Sequence, residues 1–229
     1  MKIVIIGSAY PLRGGLAAYN ERIARAFQEA GDSVEIVTFK LQYPSFLFPG
    51  KTQYSSDPAP DDLSIDVAIN SINPINWWRV GRKIRKMQPD LVICKFWLPF
   101  MGPCFGTILR QVRQNKKTRI ISIIDNIIPH EARIGDRFFA KYFVKTVDAF
   151  VVMSRSVGED MKQFVQKQSI RYIPHPIYDN YGPLIPKDTA CQQLGLDSKQ
   201  AYILFFGFIP KKMCSFIFVL LIINLKSPR

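Results

Sequence analysis

Short runs of apolar, mostly β-branched residues alternate along this chain with longer segments whose apolar residues recur at helical spacing. The first run, residues 3–6, is apolar throughout, as in a strand buried on both faces of a parallel sheet. Residues 16–30 follow with a helical pattern that ends at Gly31. The repeated strand-helix-strand order predicts an α/β fold: a Rossmann-like, doubly wound parallel sheet with helices on both faces.

The same patterns set the limits of the other predicted elements. Strands are predicted at residues 34–39, 63–69, 91–94, 119–124, 149–153, 170–173 and 202–206, and helices at 74–87, 101–115, 136–146, 154–166 and 187–194. A proline-rich stretch, residues 40–62, is predicted to be a long surface loop. Ligands of such sheets bind beyond the carboxyl ends of the strands, so a site is expected in the loops at those ends.

The formal net charge of +13 is concentrated in one part of the sequence. Residues 75–120 contain eleven Lys or Arg residues and a single acid, Asp90, whereas the rest of the chain is nearly balanced. This distribution favours a polyanion or an anionic membrane surface as a partner. A basic face that is merely solvated is the alternative.

Cysteine and histidine usage argues against a zinc site. The four cysteines have no CxxC spacing, and the chain has only two histidines. Buried, reduced thiols in a cytoplasmic protein are the simpler interpretation. The apolar run after Met1 has only four residues, which is too short for the core of a secretory signal.

The loop after the first predicted strand runs from Gly7 to Gly15 and lacks the GxGxxG fingerprint of dinucleotide-binding folds. This lack disfavours an NAD(P)-dependent or SAM-dependent enzyme. Gly14 and Gly15 stand where the next helix begins, and there they would allow backbone N–H groups to approach a phosphate closely. A purely structural helix start is an equally good reading of these two glycines taken alone.

Five segments, taken in order, resemble the N-terminal domain of family 4 glycosyltransferases. They are the Gly-Gly loop, residues 89–93 (PDLVI), residues 152–157 (VMSRSV), residues 172–176 (YIPHP) and residues 202–207 (YILFFG). The resemblance implies the acceptor-side domain of a GT-B enzyme of the retaining type. It further implies a nucleotide-sugar donor, a glycan or lipid-linked acceptor, a role in cell-surface polysaccharide synthesis, and no metal ion or other cofactor.

The resemblance also implies roles for individual residues. Gly14 and Gly15 would approach the donor diphosphate. The family often has a histidine in the loop after the fifth strand, so His130 is expected to contact the donor sugar and Asp125 to orient the reacting groups. The alternative for His130 is a cap on the following turn.

A basic helix with two tryptophans at its start is predicted at residues 74–87, and a third tryptophan follows the next strand. Such a helix suits an anionic membrane, with its rings at headgroup level, and the tryptophan loop suits a sugar ring or polyprenyl chain. Burial of the three rings in the core is the alternative. Single-stranded nucleic acid is disfavoured because no RNA-binding signature accompanies the pattern. The candidate acceptor or membrane residues are Trp77, Trp78, Arg82, Lys83, Arg85, Lys86 and Trp97.

The end of the chain departs from the family pattern after residue 209. We expect an acceptor-side domain at residues 1–186, a linker helix and the first strand of an incomplete donor-binding domain at 187–209, and an aberrant apolar tail at 210–229. The strand at 202–206 would then have no sheet to join. A truncated reading frame and a native tail that anchors the protein peripherally at the cytoplasmic membrane face are the two alternatives. A non-catalytic module that docks on a membrane or a partner is the rival function.

Overall fold

The structure of the chain is a computed structural model. It describes residues 1–44, 52–128, 134–165, 167–177, 179, 182–205 and 221–224. The chain divides into two compact units, Met1–Pro176 and Ile177–Arg229. The domain limits proposed from the sequence stay a prediction.

Within its described residues, the first unit contains seven strands joined mostly by helices. In chain order they are β1 (Lys2–Ile6), α1 (Gly15–Glu29), β2 (Ser33–Leu41), β3 (Ser64–Asn70), α2 (Pro74–Met87), β4 (Leu91–Phe96), α3 (Gly102–Arg113), β5 (Arg119–Ile124), α4 (Asp136–Val144), β6 (Ala149–Val152), α5 (Arg155–Met161) and β7 (Ser169–Tyr172). A short 3-10 helix, Pro99–Met101, precedes α3. The predicted order of elements is confirmed, although α5 ends at Met161 instead of residue 166.

The seven strands form one sheet in the order β3-β2-β1-β4-β5-β6-β7, and every neighbouring pair is parallel. The chain runs outward from β1 to β3, crosses back through α2 to β4 beside β1, and then runs outward in the other direction. The strand order therefore reverses between β1 and β4, and a ligand crevice is expected at their carboxyl ends. The Rossmann-like parallel sheet predicted from the sequence is confirmed.

Side chains of β1 alternate between the two faces of the sheet. Ile3 and Ile5 belong to an apolar cluster that includes Ala24 of α1, whereas Val4 and Ile6 belong to the cluster on the opposite face. Helices α2, α3 and α4 contribute to this second cluster, with buried residues that include Val80, Ile84, Phe105, Ile108, Ala140 and Phe143. Burial on both faces explains why β1 is apolar throughout.

Two helix starts have identifiable caps. The Asn73 side chain accepts a hydrogen bond from the backbone N–H of Asn76 at the start of α2, where Pro74 occupies the first helical position. Ser154 caps α5 in the same way through the N–H of Val157.

Within the described residues, no helix is both long enough and apolar enough to cross a membrane.

The second unit contains α6 (Lys187–Leu194) and a two-stranded antiparallel sheet of β8 (Tyr202–Phe205) and β9 (Leu221–Asn224). The expectation that the strand near residue 202 has no sheet to join is wrong, because β9, from the apolar tail, pairs with it. Periodicity did not predict this pairing, since a short apolar run is equally compatible with several structures.

Candidate functional site

The loop that leaves β1 is held against α1 at the point where the strand order reverses. A Cβ atom on Gly7 would lie 2.5 Å from Nδ2 of Asn20. That same amide nitrogen donates a hydrogen bond to the carbonyl oxygen of Ser8 at 2.8 Å. Glycine is therefore favoured at position 7, because a larger residue would displace the Asn20 side chain from this hydrogen bond.

The loop is also fixed to β2 and to the side of α1. Ser8 and Gln42 are joined by a side-chain hydrogen bond of 2.7 Å, and the backbone N–H of Ala9 donates to Oγ1 of Thr38 at 2.9 Å. The Tyr10 N–H donates to the carboxylate of Glu21 at 2.9 Å. These bonds hold in place the loop that carries the two candidate phosphate-binding glycines.

Gly14 and Gly15 stand at the start of α1, as the sequence predicted. Gly14 has φ 107°, which is unfavourable for other residues, and its carbonyl oxygen accepts bonds from the N–H groups of Ala17 and Ala18. No side chain caps this end, and the first turn has no acidic residue. The positive end of the helix dipole is therefore not offset locally, which favours an anion there.

Lys95, at the carboxyl end of β4, is a charged residue inside the core. Its side chain is 2% exposed, and its Nζ lies 2.7 Å from Oδ1 of Asp125. The same nitrogen lies 3.7 Å from the centroid of the Tyr19 ring. Burial lowers the pKa of Lys95, and the Asp125 carboxylate opposes that effect.

Asp125 directly follows β5 and lies beside the carboxyl end of β4. Its backbone N–H donates to the carbonyl oxygen of Phe96 at 2.9 Å, which continues the ladder between the two strands by one residue. Its side chain is 24% exposed. The carboxylate thus lies at the boundary between core and solvent, with the buried ammonium on its inner side.

His175 is the fourth residue of this group and contacts Tyr19. Its ring lies 5.2 Å from the ring of Tyr19, centroid to centroid, with a tilt of 51°. We call Tyr19, Lys95, Asp125 and His175 the edge cluster, since they meet at the carboxyl edge of the sheet. His130, expected to contact the donor sugar, lies outside the described residues, and its role stays a prediction.

Of the edge cluster, only Asp125 was predicted from the sequence to be a site residue. Lys95 belonged to a predicted basic stretch, and His175 to a motif that resembles a linker. One signal for Lys95 was available, because it stands within a strand whose other residues are apolar or small, LVICKF. A lysine in such a strand must be buried, must lie at an end of the strand, or both.

The three tryptophans lie in different surroundings. Trp77 donates from Nε1 to the carbonyl oxygen of Asn70 at 2.7 Å, and Trp97 donates to the Tyr43 hydroxyl at 2.5 Å. Both rings pack against the core cluster that includes α2 and α3. Trp78, in contrast, is 44% exposed, and the Arg82 guanidinium lies 4.5 Å from its ring centroid.

The predicted basic residues of α2 have varied partners. Lys83 forms an ion pair of 2.7 Å with Asp66 of β3, and Arg85 donates to the Gln114 side chain. Arg82 covers the Trp78 ring, and Lys86 is exposed. The membrane or acceptor role of these residues stays a prediction.

Among the described residues, no group of three or more His, Cys, Asp or Glu residues could hold a metal ion.

The comparisons with known proteins bear on this geometry. The model of Glycosyltransferase Family 4 matches residues 13–180. The chain belongs to glycosyltransferase family 4. The matched region of this family 4 chain includes the start of α1 and all four residues of the edge cluster. A comparison with curated protein sequences gives no match.

Three glycosyltransferases are among the solved structures similar to this family 4 chain. An alpha-glucosyltransferase in complex with UDP and a 13-mer DNA containing an HMU base has 14% identity and a TM-score of 0.51, over 77% of this chain and 43% of that one. A sucrose-phosphate synthase from Thermosynechococcus elongatus has 15% identity and a TM-score of 0.48, over 85% and 96% of the two chains. The catalytic domain of starch synthase IV from Arabidopsis thaliana, bound to ADP and acarbose, has 13% identity and a TM-score of 0.49, over 87% and 60%.

These likenesses concern the fold. The family 4 chain has the GT-B type of Rossmann-like domain, and it spans 43% of the length of the alpha-glucosyltransferase. The GT-B glycosyltransferase resemblance read from the sequence is therefore confirmed.

Proposed function

We propose that this chain forms the acceptor-side half of a retaining GT-B enzyme that transfers a sugar from a nucleotide sugar to a glycan or lipid-linked acceptor. The observation that carries the proposal is the family match over residues 13–180, which includes the start of α1 and β4, both at the edge where the strand order reverses. UDP in the alpha-glucosyltransferase structure supports a nucleotide-linked donor. The full activity is proposed for an enzyme that also has a donor-binding domain.

The residues at this edge suit the charge changes of glycosyl transfer. The reaction passes through an oxocarbenium-like transition state while the diphosphate leaves with negative charge. In the proposed mechanism, the start of α1 at Gly14 and Gly15 stabilises that leaving charge with backbone N–H groups. No step requires a metal ion.

Asp125 is proposed to orient the acceptor hydroxyl or the donor sugar, since its carboxylate is the partly exposed member of the buried pair. Lys95 acts through Asp125 as a positioning residue: its 2.7 Å contact holds the carboxylate at one place on the edge. His130 is proposed to contact the donor sugar, as the family resemblance implies.

The outward side of α2 supports a peripheral membrane location. Its residues recur at spacings of three and four, so they share one side of the helix opposite the buried Val80 and Ile84. We call this surface the α2 outer face, and it consists of Ile75, Trp78, Arg79, Arg82 and Lys86. Two apolar side chains and three cations together fit an anionic bilayer interface, as expected for an enzyme of cell-surface polysaccharide synthesis.

Vesicle sedimentation tests the membrane proposal. The chain should bind phosphatidylglycerol-rich vesicles and not phosphatidylcholine vesicles. Arg82→Glu/Lys86→Glu should weaken binding by about 30-fold or more, since each surface cation contributes about 1 kcal/mol. Lys141→Glu on α4, combined with Lys145→Glu directly after that helix, is a control with the same charge change. Equal loss in both pairs, or stronger competition by single-stranded DNA than by lipid, would contradict the proposal.

Transfer itself is tested with a panel of nucleotide sugars. Nucleotide release and sugar transfer would be measured for this chain and for the same chain extended by a family 4 donor-binding domain. We expect turnover to depend on the extension, and NMR of the product should show that the anomeric configuration of the donor is retained. Equal turnover in both chains would contradict the half-enzyme proposal. Membrane binding without turnover in either chain would favour a non-catalytic docking module.

A further inference from the structure

A groove runs beside the first half of α1, on the side that faces the segment before β3. Its volume is about 620 Å³, which lies within the range of about 300–1,000 Å³ found for small-molecule sites. It begins at Gly14 and extends to Arg25, eleven residues along the helix, or roughly 16 Å. It is lined by the loop after β1, by one side of α1 and by residues 55–62.

Backbone hydrogen bonds fix the loop after β1 to the segment before β3. The N–H of Arg13 donates to the carbonyl oxygen of Gln53 at 3.0 Å, and the N–H of Ser55 donates to that of Pro11 at 2.8 Å. Leu12 and Tyr54 form an antiparallel bridge between these bonds. The loop after β1 and the segment before β3 therefore form one preorganised wall, which lowers the entropy lost when a ligand binds.

The groove is acidic although the chain as a whole is strongly basic. Among the described residues, four carboxylates and two guanidinium groups line it. Arg25 and Asp62 neutralise each other through two hydrogen bonds of 2.5 and 3.0 Å. Of the described lining groups, Glu21, Asp57 and Asp61 then outnumber the one cation left, Arg13, so this lining disfavours polyanions.

The floor of the groove is apolar and shallow. Ala17 and Ala18 stand on the helix side, where larger side chains would fill the space, and Pro58, Ala59 and Pro60 stand opposite. Carboxylates accept hydrogen bonds from hydroxyl groups, while flat apolar surfaces pack against C–H groups. A polyhydroxylated ring without negative charge presents both kinds of surface.

We propose that this groove binds the uncharged sugar units of the acceptor. The inference rests on the proposed function and names the substrate class of that same enzyme: a neutral saccharide chain whose reactive end lies near Gly14. A lipid-linked acceptor also has an anionic phosphate carrier, which would remain outside the groove. The carboxylates of the groove repel its negative charge, and the cations of the α2 outer face attract it.

Residue-resolved NMR of the 229-residue chain tests the proposal with two probes of equal length, maltotetraose and tetragalacturonate. Maltotetraose should shift the amide signals of Ala17, Ala18 and Ala59. Tetragalacturonate should leave those signals unchanged and shift signals of the basic region around α2. Groove shifts caused preferentially by tetragalacturonate, or maltotetraose shifts confined to other surfaces, would overturn the proposal.

Substitutions in the groove distinguish specific maltotetraose binding at this site from nonspecific contact with the surface. Asp57→Asn/Asp61→Asn should weaken maltotetraose binding by about three- to ten-fold, through the loss of charge-assisted hydrogen bonds, and should admit tetragalacturonate. Ala18→Leu should abolish binding by filling the groove, and Ala59→Leu repeats this test from the opposite wall. Glu29→Gln, on the same helix outside the groove, should leave binding unchanged. Equal affinity in all variants would refute the assignment.

The same variants distinguish this inference from the proposed function. If the chain extended by a donor-binding domain transfers sugar and the groove variants leave its KM for a saccharide acceptor unchanged, the groove assignment alone is wrong. If maltotetraose binds the groove but no nucleotide sugar is turned over, the groove assignment stands and the transferase proposal is wrong.

Discussion

The buried pair of Lys95 and Asp125 gives a quantitative prediction because its two members are buried unequally. The Lys95 side chain is 2% exposed, whereas that of Asp125 is 24% exposed. Removing the carboxylate leaves an ammonium group inside the core, but removing the ammonium leaves a carboxylate that water already reaches. We therefore expect Asp125→Asn to destabilise the fold more than Lys95→Met.

The magnitudes follow from the contacts of each group. Removing one partner of a buried ion pair costs about 3–5 kcal/mol of stability. The Asn amide oxygen and the Tyr19 ring still interact with the ammonium, so Asp125→Asn should cost about 2–4 kcal/mol. Lys95→Met keeps the packing of the apolar stem and removes a desolvated charge, so its cost should be about 1–2 kcal/mol. The double variant should resemble Lys95→Met, which gives a clear coupling energy.

The pH dependence has a defined sign. Because burial lowers the pKa of Lys95 from its ordinary value of 10.5, the unfolded chain binds more protons than the folded chain between the two pKa values. Stability contributed by this group therefore rises with pH across that interval. Asp125→Asn removes the carboxylate that opposes the shift, so the interval should begin at lower pH, and the variant should recover more stability than the wild type on alkalinisation.

Urea denaturation followed by circular dichroism, at about pH 7 and about pH 9.5, measures both effects. Lys83→Met is the matched control, since it removes an ion pair of the same 2.7 Å length from the surface and should cost less than about 1 kcal/mol. A cost of Asp125→Asn equal to or below that of Lys95→Met would refute the reasoning from unequal burial.

Three further predictions concern the positions that support the site. Gly7→Ala should cost about 1–3 kcal/mol of stability in urea denaturation, because its Cβ would meet the Asn20 amide at 2.5 Å. Gly158→Ala is the control and should be close to neutral, since its Cβ has its nearest contact at 3.4 Å. Equal costs for the two variants would contradict the packing argument. Asn73→Ala should cost about 1 kcal/mol in the same assay by removing the cap of α2, whereas Asn73→Ser should retain most of the stability. Burial raises the pKa of the Cys104 thiol, so peptide mapping should show labelling by a thiol reagent only after unfolding; labelling of the native chain would show that this part of the core opens readily.

The order of elements could be predicted from the sequence because each depends on local pattern. The apolar run before Gly7 and the helical spacing after Gly15 are properties of neighbouring residues, and the structure has both elements in place. The pairing of β8 with β9 could not be predicted in this way. It joins residues about twenty positions apart, and an apolar run alone does not specify a strand partner.

The candidate site was predicted in part. The rule that ligands bind at the carboxyl ends of parallel strands was sufficient to select Gly14 and Asp125 from their places in the chain. It did not reveal that Lys95 is buried or that Asp125 is its partner, because these residues stand thirty positions apart. His175 was assigned to a linker, and only the structure brings its ring against Tyr19.

Local sequence pattern was enough to establish the α/β architecture, the family and the place of the glycine loop, because periodicity and short motifs depend only on residues that are close together in the chain. Tertiary structure decided the ionic and packing partners. It brings Lys95, Asp125 and Tyr19 together, places the Asn20 amide against Gly7 and forms an acidic groove in a basic chain. These features arise because parallel strands bring distant loops to one edge, where burial and charge depend on neighbours in space.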